Sequence, residues 1–386
     1  MSLAGLALVL ALGLAGPLLA GPRRTGIPVA VGELAAGVVA GRTGFGWTDP
    51  GDPVFSFLGS AGFGLIMLVA GSHVPLRDPA LRVALRRGAQ LALLTGAVAV
   101  GAGYGVADLL GTGHALLYAV LFASSSAALV MPVIDEAGLG APPVLATVVQ
   151  VTLADTVCIV LLPLAEQPER AGKAALGVLA VVCAAAAILL VMRWFARRGW
   201  LKRMHRISHR RNFGLELRVQ LITVFGLAGL AQRFGVSIML AGFAAGLALA
   251  AEGEPRRLAR QLFAVTDGFL GPLFFVWLGA SLDLRAVAGH PRMIALAGAL
   301  ALGTLAAHGA VVALHQPALL AVLAAAQLGV PIAAVTIGTR AGLLGPAEGG
   351  AILAAALVTI ATTGWAAARA RGEVDLARAP AAPQAE

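Results

Sequence analysis

Apolar stretches about twenty residues long, separated by short polar or charged segments, recur along almost the entire chain. Thirteen windows are found, at approximately 2–20, 27–41, 54–71, 85–107, 113–136, 142–164, 172–194, 214–233, 236–250, 258–283, 292–313, 317–342 and 348–368. A helix of that length crosses the hydrocarbon layer while satisfying its own backbone hydrogen bonds, which an open strand cannot do there. The pattern predicts an all-α polytopic membrane protein with about 13 transmembrane helices. Two windows, 27–41 and 236–250, are short for a full crossing. The Ala-, Pro- and Arg-rich end of the chain, 369–386, is expected to be a disordered cytoplasmic tail.

With window 172–194 set aside as a linker helix, the others form two groups of six, a first repeat over 1–164 and a second over 214–368. An odd number of crossings between them makes the two groups inverted. The fifth window of each is interrupted, by Ser124-Ser125-Ser126 through Pro132 in one and by Gln327-Leu328-Gly329-Val330-Pro331 in the other. Paired interruptions in inverted-topology repeats point to a binding site at the bilayer midplane. One membrane transport domain is therefore expected over 1–368.

Composition agrees with that class and narrows it. At 59% hydrophobic and 12% charged residues the chain is no soluble globular protein, and its 49 Gly and 20 Pro suit a tightly packed membrane bundle. A net charge of +9 raises the question of a nucleic-acid partner, but the basic residues cluster beside the apolar windows, so topology explains them and no nucleic acid is expected. The densest basic block, Arg197 to Arg211, is placed in the cytoplasm. Thirteen crossings then put the amino terminus outside and the carboxyl terminus inside. Arg23-Arg24, Arg77, Arg82, Arg86, Arg87, Arg256, Arg257, Arg260, Arg369 and Arg371 fall inside, against scattered Arg42, Arg170, Lys173, Arg285 and Arg292 outside. The expected setting is the cell inner (plasma) membrane, multi-pass, with the lipid bilayer as the principal partner. Residues 2–20 lack a charged flank and precede many more spans, which reads as a retained first helix. Cys158 and Cys183 lie inside apolar windows and read as inert thiols rather than a disulfide.

The candidate chemistry centres on Asp155, near the middle of window 142–164. A carboxylate in hydrocarbon is costly unless it faces protein or water, so it marks an ion or proton site unless a helical neighbour merely ties it down. Burial favours its protonated form and a bound monovalent cation favours its ionised form, so one group can exchange the two. Ser124, Ser125 and Ser126 offer hydroxyls and, where the helix opens, carbonyls; small serines equally suit close helix packing. Thr152 is one turn before Asp155 and shares its face, with Thr156 less surely aligned. Gln327 and the carbonyls near Gly329 and Pro331 are candidates from the opposing interruption. Supporting candidates are Glu33 in the second window, Asp267 in the tenth, with Arg340 as its ion-pair partner, and His308 in the eleventh. His308 is either a group titrating near neutral pH or a satisfied core histidine. Asp135-Glu136 and Glu216 lie near the cytoplasmic interface, as gates or as solvated surface. No phosphate loop, Cys/His metal cluster or nucleophilic triad is present, so no enzyme and no cofactor is expected.

Several segments in order resemble the monovalent cation:proton antiporter-2 family, which includes bacterial sodium/proton exchangers and the membrane domains of potassium efflux systems. They are Ile27-Pro28-Val29-Ala30-Val31-Gly32-Glu33, Ser124-Ser125-Ser126-Ala127-Ala128 with Leu139-Gly140, Leu153-Ala154-Asp155, Phe234-Gly235-Val236-Ser237 with Ala241-Gly242-Phe243, and Gly271-Pro272-Leu273-Phe274-Phe275 through Leu282-Asp283. The resemblance covers residues 5–368 and implies crossed discontinuous helices, a homodimer, and alternating-access exchange of sodium or potassium for protons at Asp155. Electrogenic relatives carry a second aspartate where this chain has Ala154, together with a lysine in the eleventh span; here the lysines are Lys173 and Lys202. The joint absence of those charges implies electroneutral exchange, with His308 near the vacant lysine position. Neither a nucleotide-binding domain nor a regulatory nucleotide is expected. The alternatives are a sodium-coupled organic-anion carrier on a similar fold and a passive cation channel.

Overall fold

The computed structural model describes residues 1–20, 29–72, 79–136, 142–166, 171–198, 215–234, 237–252 and 256–378, and among them all regular structure is helical. Arg23-Arg24, Arg77, Leu139-Gly140, Gly235-Val236 and the basic segment 199–211 lie outside the described residues, as do the side chains of Arg82, Asp135, Glu136, Arg256, Arg257, Arg260, Arg340 and Arg371.

Helix occupies every apolar window. The first holds α1 (Leu3–Gly13) and α2 (Ala15–Ala20), followed by α3 (Val29–Ala40), α4 (Pro53–Ser72) and α5 (Pro79–Leu110). The fifth is divided between α6 (Ala115–Ala123) and α7 (Ala127–Glu136); α8 (Pro142–Glu166) and α9 (Ala171–Arg197) come next. In the second half lie α10 (Leu215–Arg233), α11 (Ile238–Glu252), α12 (Arg256–Val265), α13 (Gly271–Ser281), the short α14 (Leu284–Ala288) and α15 (Pro291–Gly309). The twelfth window is divided between α16 (Ala318–Ala324) and α17 (Gly329–Arg340), and α18 (Pro346–Arg378) completes the chain. Among the described residues, ten helical stretches are long and apolar enough to cross a membrane, while α3 and α11 are shorter apolar helices.

Four details depart from the sequence expectation. The interruption of the fifth window is Ser124–Ser126 alone, since α7 continues through Pro132; one missing ladder bond is tolerated where neighbouring helices surround the segment. The second interruption falls at 325–328, before Gly329, and Pro331 is the third residue of α17. In that position its absent N–H costs nothing, while its ring would clash with the carbonyl of Gln327 if helix continued backwards. Between α12 and α13 the chain makes a π-helical turn, Thr266–Leu270, a widening that the apolar pattern does not encode. Finally, α18 runs to Arg378 where a disordered tail was expected: Ala, Arg, Glu and Leu dominate Ala366–Arg378, and all are strong helix formers.

The helices pack in two sets. In the first, α4 lies against α11 and α13, and α3 against α13. Small residues let these backbones close: a Cβ on Gly246 would lie 2.7 Å from the Cα of Gly71, and one on Gly242 2.9 Å from the Cβ of Met67. Trp277 fastens α13 by donating from Nε1 to the Pro50 carbonyl at 3.1 Å. In the second set α5 packs on α6, α8 and α15, and α18 on α15, α16 and α17. A small apolar cleft lined by Leu34, Leu278, Leu282, Leu328, Ile332 and Leu353 lies between α3 and α13 on one side and α17 and α18 on the other, within one continuous core. It ends at the second break, through Leu328.

Candidate functional site

Both interrupted helices are opened by their own chemistry. Three successive serines offer the backbone alternatives to the helical ladder. Ser124 is extended, with φ −71° and ψ 151°, and its Oγ donates to the Leu121 carbonyl at 2.8 Å. In the other helix, Leu328 leaves helical geometry at φ −141° and ψ −65°.

The two breaks meet each other. Ser125 Oγ donates to the Ala324 carbonyl at 2.6 Å, closing an orphan acceptor at the end of α16. Gln327 Nε2 reaches back to the Leu121 carbonyl and to Thr304 Oγ1, the latter at 3.2 Å. His308 Nε2 faces the Ser124 carbonyl at 3.1 Å. Thr363 on α18 donates to the Val322 carbonyl at 3.3 Å. Ser124, Ser125, Ser126, Gln327 and His308 are all buried, so these bonds are formed away from lipid and bulk water, where an unpaired carbonyl is costly.

Asp155 lies beside the first break and is 3% exposed. Its Oδ2 accepts from the backbone N–H of Ala127 at 3.1 Å. Ala127 opens α7, so the carboxylate answers an orphan amide and the positive end of that helix. This bond favours the ionised form, and burial opposes it. The site is thus a single carboxylate balanced between a helix end and an apolar shell, with the backbone of Ser124–Ser126 alongside. Such an arrangement can hold a proton or a small dehydrated cation, one at a time.

Thr152 is only half buried, and its Oγ1 donates to the Val148 carbonyl at 2.8 Å, which leaves the hydroxyl's lone pairs available. Thr156 bonds back to the Thr152 carbonyl in the same way, at 2.8 Å. Glu33 is 4% exposed on α3, a helix that packs chiefly against α2 and α13. Asp267 sits on the exposed face of the π turn. The side chain of Arg340 is outside the described residues. Glu216 is buried at the start of α10, also in the first helix set. Asp155 bonds directly to the backbone of an interrupted helix, which marks it as the carboxylate at the crossing.

Sequence reading did not single out Thr304, Thr363 or the N–H of Ala127. Thr304 precedes His308 by one helical turn, a spacing that puts both on one face; Ala127 carries no side-chain signal, because its contribution is a backbone amide.

The chain is similar to known proteins over most of its length. The glutathione-regulated potassium-efflux system protein KefC of Enterobacter sp. (strain 638) is 28% identical over 286 residues, covering 70% of this chain and 44% of that protein. The chain thus spans about half the length of that relative. A Na(+)/H(+) antiporter of Enterococcus hirae is 24% identical over 269 residues, covering 68% of each. The solved structure of the sodium proton antiporter MjNhaP1 from Methanocaldococcus jannaschii has the same fold, with a TM-score of 0.63 at 16% identity over 96% of this chain and 97% of that one. The model of the transmembrane sodium/hydrogen exchanger family matches residues 7–369, and with nearly the whole chain so covered, this multi-pass membrane protein belongs to that family of cation/proton antiporters.

Proposed function

We propose that the chain exchanges a monovalent cation, sodium or potassium, for protons by alternating access, with the two competing for Asp155. The observation that carries this reading is the buried Asp155 carboxylate held on the first amide of α7 beside an opened helix. A cation arriving at the ionised carboxylate replaces a proton of equal charge. With one carboxylate at the crossing, each half-cycle moves one positive charge, so exchange is one for one and electroneutral. The buried Ala154 beside Asp155 supplies no second charge.

The alternation would carry α5–α8 and α15–α18 past the first helix set along the apolar cleft. Two inverted repeats, 1–164 and 214–368 about the linker 172–194, form the other half of the proposal. Its support is a reciprocal pairing: the second and third windows of one group, α3 and α4, pack on the third and second of the other, α13 and α11. The same reading places the amino terminus outside, the carboxyl terminus inside, and two copies together as a homodimer.

The test is proton flux into proteoliposomes driven by sodium, potassium or lithium gradients at clamped voltages. Asp155→Asn should lose the flux while remaining folded, and the wild-type rate should not vary with voltage. Full exchange by Asp155→Asn would sink the site assignment; a systematic voltage dependence would sink electroneutrality.

A further inference from the structure

Helix ends at the crossing come in two electrical kinds. The first amides of α7 and α17 are positive ends, and the last carbonyls of α6 and α16 are negative ones. Asp155 answers the positive end of α7. The negative end of α6 is met by neutral donors, the amide of Gln327 on the Leu121 carbonyl and the ring of His308 on the Ser124 carbonyl.

A carbonyl oxygen only accepts, so Nε2 of His308 carries the hydrogen. Nδ1 is buried and has no hydrogen-bond partner. The neutral Nε2–H tautomer therefore fits the site, because a second ring proton would be a buried donor with nothing to receive it. The ring itself is fully enclosed, at 0% exposure. Its helix is held in register against α6 by Gly303, where a Cβ would lie 2.7 Å from Cε1 of Phe122. One turn before His308, Thr304 receives the second hydrogen of the Gln327 contact. One face of α15 thus holds the α6 end of the first break, directly at the Ser124 carbonyl and through Gln327 at the Leu121 carbonyl.

We propose that His308 is a positioning residue for cation binding: as a neutral Nε2–H donor it fixes the Ser124 carbonyl, and so the direction in which the Ser125–Ser126 backbone faces Asp155. This rests on reading Asp155 as the exchange site. It assigns the ring a geometric task that does not include carrying the transported proton.

His308→Leu removes the donor at similar volume, and His308→Gln restores a neutral N–H. Both are measured in proteoliposomes over sodium and potassium series at several pH values, with melting temperatures in detergent. His308→Leu should raise the half-saturating cation concentration about 3- to 18-fold, the effect of one side-chain hydrogen bond within a bilayer. His308→Gln should return it to within about threefold and keep the wild-type pH profile, since Asp155 remains the titrating group. A leucine variant that melts lower with unchanged half-saturation would make His308 packing alone and overturn the proposal. So would a glutamine variant whose pH midpoint moves by about a unit, because the ring would then titrate in the cycle. Wild-type protein inert to every alkali cation would sink the antiport reading by itself. In that event thiol labelling of Ser126→Cys decides: faster labelling in the His308→Leu background than in His308→Gln supports the clamp, and equal rates overturn it.

Discussion

Ser125→Ala tests whether the two breaks are held by each other. The substitution removes a 2.6 Å hydrogen bond and leaves the Ala324 carbonyl without that donor. Both residues are buried, at 1% and 0% exposure, so water does not replace the lost hydroxyl. In a soluble core an acceptor stranded in this way costs about 1–3 kcal/mol. Inside a bilayer the unfolded reference also finds internal partners, and side-chain bonds there are worth about 0.6 kcal/mol on average and about 1.7 at most. The second range governs here, because the crossing stays within the membrane in every state. If the cost falls on the binding-competent geometry, the half-saturating cation concentration rises about 3- to 18-fold at 1.36 kcal/mol per decade. Proton flux against cation concentration in proteoliposomes reads that rise, and a melting curve in detergent reads any loss of fold. Half-saturation and melting temperature both equal to wild type would refute the idea that this bond couples the breaks.

Two further outcomes follow from packing and capping. Gly246→Ala places a Cβ 2.7 Å from the Cα of Gly71, backbone that cannot rotate away; it should destabilise the protein by about 1–3 kcal/mol, read as a lower melting temperature, while Gly226→Ala on the exposed face of α10, which meets nothing within 4 Å, should not. Asp52 pairs with the Met1 amine and caps α4 through the amides of Phe55 and Val54, which together hold its carboxyl below the usual carboxylate range. A carboxyl depressed in the folded state adds stability above its unfolded value and loses it as pH falls through the folded one. Asp52→Asn should therefore melt lower than wild type at neutral pH, and the difference should close below about pH 3.9.

The covalent sequence determined the element class and most boundaries, because twenty apolar residues in hydrocarbon have no alternative to helix. It also picked out Asp155, since an ionisable group amid Val, Leu and Ile has few structural uses, and both interruptions, through a serine triplet and a proline. Tertiary structure decided what those features meet. Pro132 and Pro331 carry the same local signal, yet one lies inside a helix and the other starts one. Glu33, Asp155 and Asp267 are all acidic residues in apolar windows, and only packing separates the carboxylate at the crossing from one buried beside α2 and one on an exposed π turn. Ala127 has no distinguishing side chain, but the fold turns its amide onto Asp155. The sequence leaves His308 as a titrating group or a satisfied core residue, and only the packing of α15 on α6 sets its Nε2 against the Ser124 carbonyl. Hydrophobic periodicity records how strongly a residue avoids water, which is a property of each position alone. Which backbone group a buried polar atom reaches depends on two helices at once, separated here by 184 to 206 residues, and that relation exists only after they pack.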